Sequence, residues 1–96
     1  MNEVRILLSA QRAMLFNICP KFRMISLEVN ADNVLKVLII ISEVLTDEEK
    51  DLAYSLSGEI EGDYPELVSS DVSFSLDTRD IDLLPRLKIL VFSLYK

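Results

Sequence analysis

The spacing of hydrophobic and polar residues predicts two helices and four strands in the order α-β-β-α-β-β. Apolar residues recur at helical spacing in residues 3–17 and again in residues 47–63. A proline lies just beyond each segment, at Pro20 and Pro65, where a helix is expected to have ended. Alternating or continuous apolar runs predict strands in between and afterwards. The predicted strands are residues 22–30, 34–41, 70–78 and 86–95.

The first helix has a wide apolar face and a narrow polar strip. The apolar face consists of Val4, Ile6, Leu7, Leu8, Ala10, Ala13, Met14 and Leu15. The polar strip holds Arg5, Ser9 and Arg12. Gln11 falls within the apolar face, where a buried amide without partners would cost about 1–3 kcal/mol. We therefore interpret Gln11 as a structural residue that hydrogen-bonds to a neighbouring element.

The first two strands differ in how they are expected to be buried. In the first strand aliphatic residues alternate with polar ones, which predicts one face against the core and one in water. The aliphatic residues are Ile25, Leu27 and Val29, and the polar ones are Ser26 and Glu28. The second strand is apolar on both faces over most of its length, which is typical of a central strand.

These elements predict a single α+β domain over residues 1–96. We expect two antiparallel hairpins that join into one antiparallel-rich sheet of about four strands, with the two helices packed on it. The pattern leaves the strand order open. A chain of 96 residues can bury one modest core, and its single cysteine cannot form an internal disulfide.

The second helix carries a strong start signal. Thr46 and Glu49 have the spacing of a capping box, in which two side chains satisfy unpaired amide groups at the helix start. Acidic residues in the first turn also suit the positive end of the helix dipole. The predicted buried stripe of this helix consists of Leu52, Ala53, Leu56 and Ile60.

The opposite side of the second helix is the candidate partner-binding surface. Its predicted binding residues are Asp47, Asp51, Tyr54 and Glu61. Gly58 lies among them, although glycine costs about 1 kcal/mol relative to alanine inside a helix. Tyrosine is a favoured anchor at interfaces, but it also occurs at the rim of a core with its hydroxyl group in water. The sequence leaves both interpretations of Tyr54 open.

The uneven distribution of charge narrows the choice of partner. The net charge is −6, and residues 46–66 hold eight of the sixteen acidic side chains. An acidic surface repels phosphate, which disfavours direct binding to nucleic acid and favours a basic protein partner. The alternative is that these acids only keep the protein in solution.

The composition does not favour catalysis or metal binding. The chain has no histidine, and we interpret its one cysteine, Cys19, as buried packing. We therefore predict no enzymatic activity, no metal and no cofactor. The longest wholly apolar run, residues 37–41, is too short to cross a membrane. The N-terminus lacks the basic start of a signal peptide, so we expect a cytoplasmic protein.

The first two thirds of the chain resemble a family of small acidic bacterial proteins. The resemblance is carried by RILLSAQRAMLF at residues 5–16, by the strand RMISLEV at residues 23–29 and by DYPE at residues 63–66. Phe16 and the pair Ser42-Glu43 depart from the family pattern, each next to a turn. This family is similar to immunity proteins encoded beside contact-dependent inhibition systems and related polymorphic toxins.

The resemblance implies a protein that binds and neutralises a cognate toxin domain, with a nuclease as the favoured class of toxin. Nucleases have basic clefts, so an acidic inhibitor would be steered towards them. A second hypothesis is a non-enzymatic structural or regulatory protein that self-associates. It requires an exposed apolar patch on the outer side of the sheet, which would arise if both helices packed on one face. The residues of this patch are Leu38, Ile40, Leu90 and Phe92.

Overall fold

A computed structural model describes residues 3–14 and 17–93 of the chain. The helices are α1, Glu3–Met14, and α2, Asp47–Asp63. The strands are β1, Phe22–Val29; β2, Val34–Ile41; β3, Ser69–Leu76; and β4, Ile89–Ser93. A short 3-10 helix, Ile81–Leu83, lies between β3 and β4. The order of the elements confirms the predicted α-β-β-α-β-β arrangement.

The boundaries of the helices agree closely with the sequence pattern. α2 has the predicted limits, because its capping box fixes the start and Pro65 follows its end. α1 is described as far as Met14, and the amide of Asn17 donates a hydrogen bond to the Met14 carbonyl at 3.2 Å. The predicted helical positions Leu15 and Phe16, and the predicted strand positions Leu94 and Tyr95, lie outside the described residues.

A tight turn built on asparagine joins β1 and β2. The Asn30 side chain accepts hydrogen bonds from the amides of Asp32 and Val34, at 2.9 and 3.1 Å. Asn33 adopts a positive φ of 60°, a conformation that asparagine tolerates better than most residues. This local chemistry sets the register of the first hairpin, which pairs Val29 with Leu35.

The four strands form one mixed sheet in the order β3-β2-β1-β4. β1 is antiparallel to both β2 and β4, whereas β2 and β3 are parallel. The prediction of a second antiparallel hairpin is therefore wrong. The connection through α2 returns the chain to the end of the sheet at which β2 begins, so β3 pairs in parallel with β2. β3 is thereby the edge strand next to β2. The chain must then cross to the other edge before β4 can pair.

The helices share one face of the sheet, and the main core lies between the two layers. Ile6, Ala10 and Ala13 of α1 and the buried stripe of α2 pack there against the inward residues of β1 and β2. The inward strand residues are Phe22, Ile25, Leu27, Leu35, Val37, Ile39 and Ile41. Strand β2 is central, as predicted from its apolar character on both faces.

The buried side of α1 is narrower than the apolar pattern suggests. Gln11 is exposed, so its interpretation as a buried structural amide is wrong, and Ser9 is buried instead. The helix contacts its neighbours along a stripe with a spacing of three and four residues, from Ile6 through Ser9 to Ala13. Val4 and Leu8 lie off that stripe and are 66% and 55% exposed.

The outer face of the sheet is covered by the segment that links β3 to β4. Leu84 and Ile81 of this segment pack against Met24 and Ile40. The Leu87 amide donates a hydrogen bond to the hydroxyl oxygen of Ser26 at 2.9 Å, and Ser26 is fully buried. The face of β1 that the alternation predicts to be in water is therefore buried at Ser26, because the linking segment covers it.

The same covering removes the apolar patch that self-association would require. Ile40 is fully buried and Leu38 is half-buried under the linking segment. Phe92 pairs with Ile25 and packs with the helix-side core, because a bulge shifts the register between Leu90 and Phe92. Of the four residues of the predicted patch, only Leu90, at 37%, is an exposed large hydrophobic residue. The four residues do not form a continuous exposed patch.

Truncating Leu84 tests whether the linking segment is part of the core. We expect Leu84→Ala to lower the free energy of unfolding by about 2 kcal/mol or more, because Leu84 is buried against Met24 and Ile40. The neighbouring Leu83 is 60% exposed, so Leu83→Ala is the matched control and should change stability by less than about 0.5 kcal/mol. Equal melting temperatures for the two variants would show that the segment does not seal the outer face.

Candidate partner-binding surface

The start of α2 is fixed by the predicted capping box. The Glu49 amide donates to the Thr46 hydroxyl oxygen at 3.2 Å, and the Thr46 amide donates to the Glu49 carboxylate at 2.8 Å. The buried residues of the helix are Ala53, Leu56, Ser57 and Ile60, and Leu52 is half-buried. Ser57 was not part of the predicted stripe, and its hydroxyl donates to the Tyr54 carbonyl at 3.0 Å. With its cap and stripe fixed, α2 has one defined outward side.

Glu49 connects the beginning of α2 to the turn that precedes β1. The Lys21 ammonium group lies 2.7 Å from the Glu49 carboxylate, and both side chains are about three-quarters buried. The Cys19 thiol donates to the same carboxylate at 3.4 Å. The hydrogen bond from Lys21, with help from the Thr46 amide, lowers the pKa of Glu49 to about 2. This carboxylate is therefore structural and is not available to a partner.

Two acids near the end of α2 are bound by side chains of α1 and of Asn17, which follows it. Asp63 accepts hydrogen bonds from the Ser9 hydroxyl and, at 3.4 Å, from Arg12. Glu59 accepts from the Asn17 side chain at 3.2 Å, and Asn17 also donates to the Ala13 carbonyl. Sequence analysis missed these contacts. The available signal was the position of Ser9 between Ile6 and Ala13, at the spacing of the buried stripe.

The remaining acids on the outward side of α2 have no such partners. Asp47 and Asp51 are exposed and Glu61 is half-buried. Within the described part of the chain, none of the three side chains has a hydrogen bond or an ion pair. At about 100° per residue they fall with Tyr54 within an arc of about 80°. We call the four residues Asp47, Asp51, Tyr54 and Glu61 the α2 strip.

Tyr54 stands at the border between α2 and β3. Its ring meets the ring of Phe74 edge to face, with centroids 6.0 Å apart and planes at 85°. Even so, Tyr54 remains 49% exposed. The residue thus combines the two environments that the sequence left open, since one edge packs on the core rim and the rest faces water. Phe74 holds the ring in place, which lowers the entropy cost of using it as a contact.

Gly58 lies on the outward side of α2 without an internal reason to be glycine. A β-carbon added there would have no neighbouring atom within 4 Å. The residue is in regular helix and its φ is negative. Intramolecular packing therefore does not explain why the helix carries a residue that weakens it.

Neither a set of metal ligands nor a membrane-spanning helix is found in the part of the chain that the structure describes. No group of three or more acidic, histidine or cysteine side chains among the described residues could hold a metal ion. Within residues 3–14 and 17–93, no helix is long and apolar enough to cross a membrane.

Comparison with known proteins gives one family. The chain matches the family model described as MafI2 immunity protein over residues 3–94. A search of curated proteins gave no significant match. The family match spans both helices, the whole sheet and the α2 strip.

The pKa of Glu49 leads to a prediction about acid stability. Its value in the folded protein is lower than the ordinary value of 4.5, so the ionised form is favoured by folding. The resulting stabilisation is present above pH 4.5 and is lost as the pH falls through about 2. Glu49→Gln keeps a side chain that can complete the capping box but removes the charge.

Wild type should therefore be more stable than Glu49→Gln at neutral pH, and the difference should disappear towards pH 2. Unfolding curves at a series of pH values measure this directly. Asp77, whose pKa is lowered to about 2 by Arg79, titrates over the same range in both proteins and cancels in the comparison. A difference that stays constant down to pH 2 would contradict the assigned role of the Lys21–Glu49 pair.

Proposed function

The match over residues 3–94 shows that this chain belongs to the MafI2 immunity protein family, and we propose that it neutralises a cognate toxin domain by binding it through the α2 strip. The toxin is of the nuclease class, and the complex forms in the cytoplasm, where a nuclease would meet its substrate. In this proposal the protein acts by covering the toxin and carries out no reaction itself.

The observation that carries this proposal is the separation of structural acids from unpaired ones on α2. Glu49, Glu59 and Asp63 are held by side chains of the same molecule. Asp47, Asp51 and Glu61 have no partner among the described residues, and Tyr54 lies between them on the same side of the helix. Unpaired charges around an aromatic side chain are the composition expected of a polar interface with a central anchor.

A basic toxin would account for the negative charge of the α2 strip. A nuclease binds phosphate groups, so its substrate cleft must be rich in lysine and arginine. Opposite charges increase the rate of encounter, and the effect falls as salt screens them. Self-association through the outer face of the sheet is not favoured, because the segment between β3 and β4 covers Ile40.

Charge reversal on the α2 strip tests the proposal by its kinetics. We expect Asp51→Lys and Glu61→Lys to slow association with the cognate toxin domain. The reduction in the association rate should become smaller as salt is raised, because salt screens the attraction between the two proteins before they meet. Tyr54→Ala should instead speed dissociation and weaken the binding free energy by about 2 kcal/mol or more if the ring is an anchor.

Asp32→Lys is the matched control for charge. Asp32 is exposed in the turn between β1 and β2, so its reversal changes the net charge equally at a site outside the strip. Surface plasmon resonance at two salt concentrations gives the rates, and a melting curve shows that each variant is folded. The binding site lies elsewhere if Asp51→Lys, Glu61→Lys and Tyr54→Ala all bind as the parent does.

Gly58→Ala separates stability from binding. The new methyl group has open space around it, and alanine favours the helix, so we expect the variant to be more stable by about 0.5–1 kcal/mol. If the toxin approaches the helix backbone at this point, the same variant should bind the toxin more weakly. Gain of stability with unchanged affinity would place Gly58 outside the interface, and thermal melts with binding titrations distinguish the outcomes.

A further inference from the structure

Strand β3 presents an open edge next to the α2 strip. Its ladder to β2 runs without a register shift from Ser69 to Leu76. The Val68 and Asp77 amides extend the contact at both ends by donating to the Asn33 and Ile41 carbonyls, at 3.0 and 3.1 Å. Among the described strands, β2 is the single neighbour of β3, so the other edge of an eight-residue strand is unpaired.

This edge lacks the features by which proteins usually protect an open strand. Such strands are commonly short, bulged, or marked by lysine or proline. β4, at the opposite edge, is five residues long and bulged, and it follows Pro85, Arg86 and Lys88. β3 is longer, regular, and contains neither lysine nor proline. The single charged side chain within β3, Asp71, is paired with Lys36 at 2.9 Å.

The acidic residues of α2 run alongside this edge. α2 leads from the end of β2 to the start of β3, and β3 is parallel to β2, so helix and strand run in opposite directions. Tyr54 touches Phe74 near the end of the strand. Seven residues later in the helix, Glu61 lies towards the beginning of the strand, whereas Asp51 lies towards its end. The unpaired charges are thus spread along a helix that runs antiparallel to β3, and Tyr54 forms the contact between this helix and the strand.

We propose that the toxin adds an extended, lysine- or arginine-containing segment to the open edge of β3, so that the α2 strip and this edge form one interface. The inference deepens the proposed function and rests on it. Backbone hydrogen bonds to β3 would hold the segment, and the acids of α2 would pair with its basic side chains. Charge complementarity favours this occupant over a second copy of the chain, whose own β3 edge lies beside the same acidic α2 strip.

The backbone register identifies the groups that the segment would use. The Asp77 amide donates to the carbonyl of Ile41, the partner of Leu76, and so continues the regular ladder that runs from Ser69 to Leu76. Amide direction alternates along this ladder. Val68 lies before the ladder, and its bond to Asn33 is out of phase with it. The amides of Val72 and Phe74, which lie at odd-numbered separations from Asp77, therefore point to the open edge. Those of Ser73 and Ser75 point to β2.

Hydrogen–deuterium exchange with residue resolution tests the inference on the unmodified protein. On addition of the cognate toxin domain, exchange of the Val72 and Phe74 amides should slow by about tenfold or more, since they gain acceptors. The Ser73 and Ser75 amides are already bonded in the ladder and serve as internal controls. Binding and neutralisation without slower exchange at Val72 and Phe74 would overturn the inference and leave the proposed function standing.

Other outcomes are equally decisive. Slow exchange of the Val72 and Phe74 amides in the free protein that depends on its concentration would show that a second copy occupies the edge, against the inference. If the toxin domain neither binds nor is neutralised, the proposed function fails and the inference fails with it.

A proline substitution gives an independent check. Ser70 lies near the start of β3, and its amide, by the same alternation, points to the open edge, a position where proline is tolerated. Ser70→Pro should weaken toxin binding by about tenfold, since one backbone donor is lost and the ring obstructs pairing. The melting temperature shows whether the sheet is intact, and an intact sheet with full affinity would contradict the inference.

Discussion

The burial of β2 on both faces is the constraint on which the rest of the fold depends. This strand has aliphatic residues on both of its faces, so neither face can be left in water. The two helices cover one face, and the segment that contains Leu84 covers the other. The segment between β3 and β4 meets this requirement. It crosses the outer face of the sheet to reach the opposite edge, and in doing so it covers that face.

The helix that covers β2 also provides the proposed binding surface. Its inward residues, Ala53, Leu56 and Ile60, are fixed by the core, and its ends are fixed by Thr46, Glu49 and Asp63. The outward side is therefore held rigidly without any contribution from Asp51 or Glu61. A surface of this kind can change its charged residues while the fold is maintained.

The sequence predicts best those features that depend on neighbouring residues. The limits of α2 follow from a capping box and a proline, and the central position of β2 follows from its composition. Features set by distant contacts could not be predicted. The parallel pairing of β3 depends on the path through α2, and the inward position of Phe92 depends on a bulge that alternation does not reveal. The exposure of Gln11 depends on how narrow the contact of α1 with its neighbours is.

The family match and the distribution of unpaired acids lead to one central claim, that a toxin is bound by α2 and the adjoining edge of the sheet. Nuclear magnetic resonance of the isotope-labelled protein, titrated with the toxin domain, tests this claim most directly. We expect the largest changes in amide chemical shift to fall on residues 47–61 and on β3. Changes confined to residues 77–88, or to the outward side of α1 around Val4 and Leu8, would contradict it.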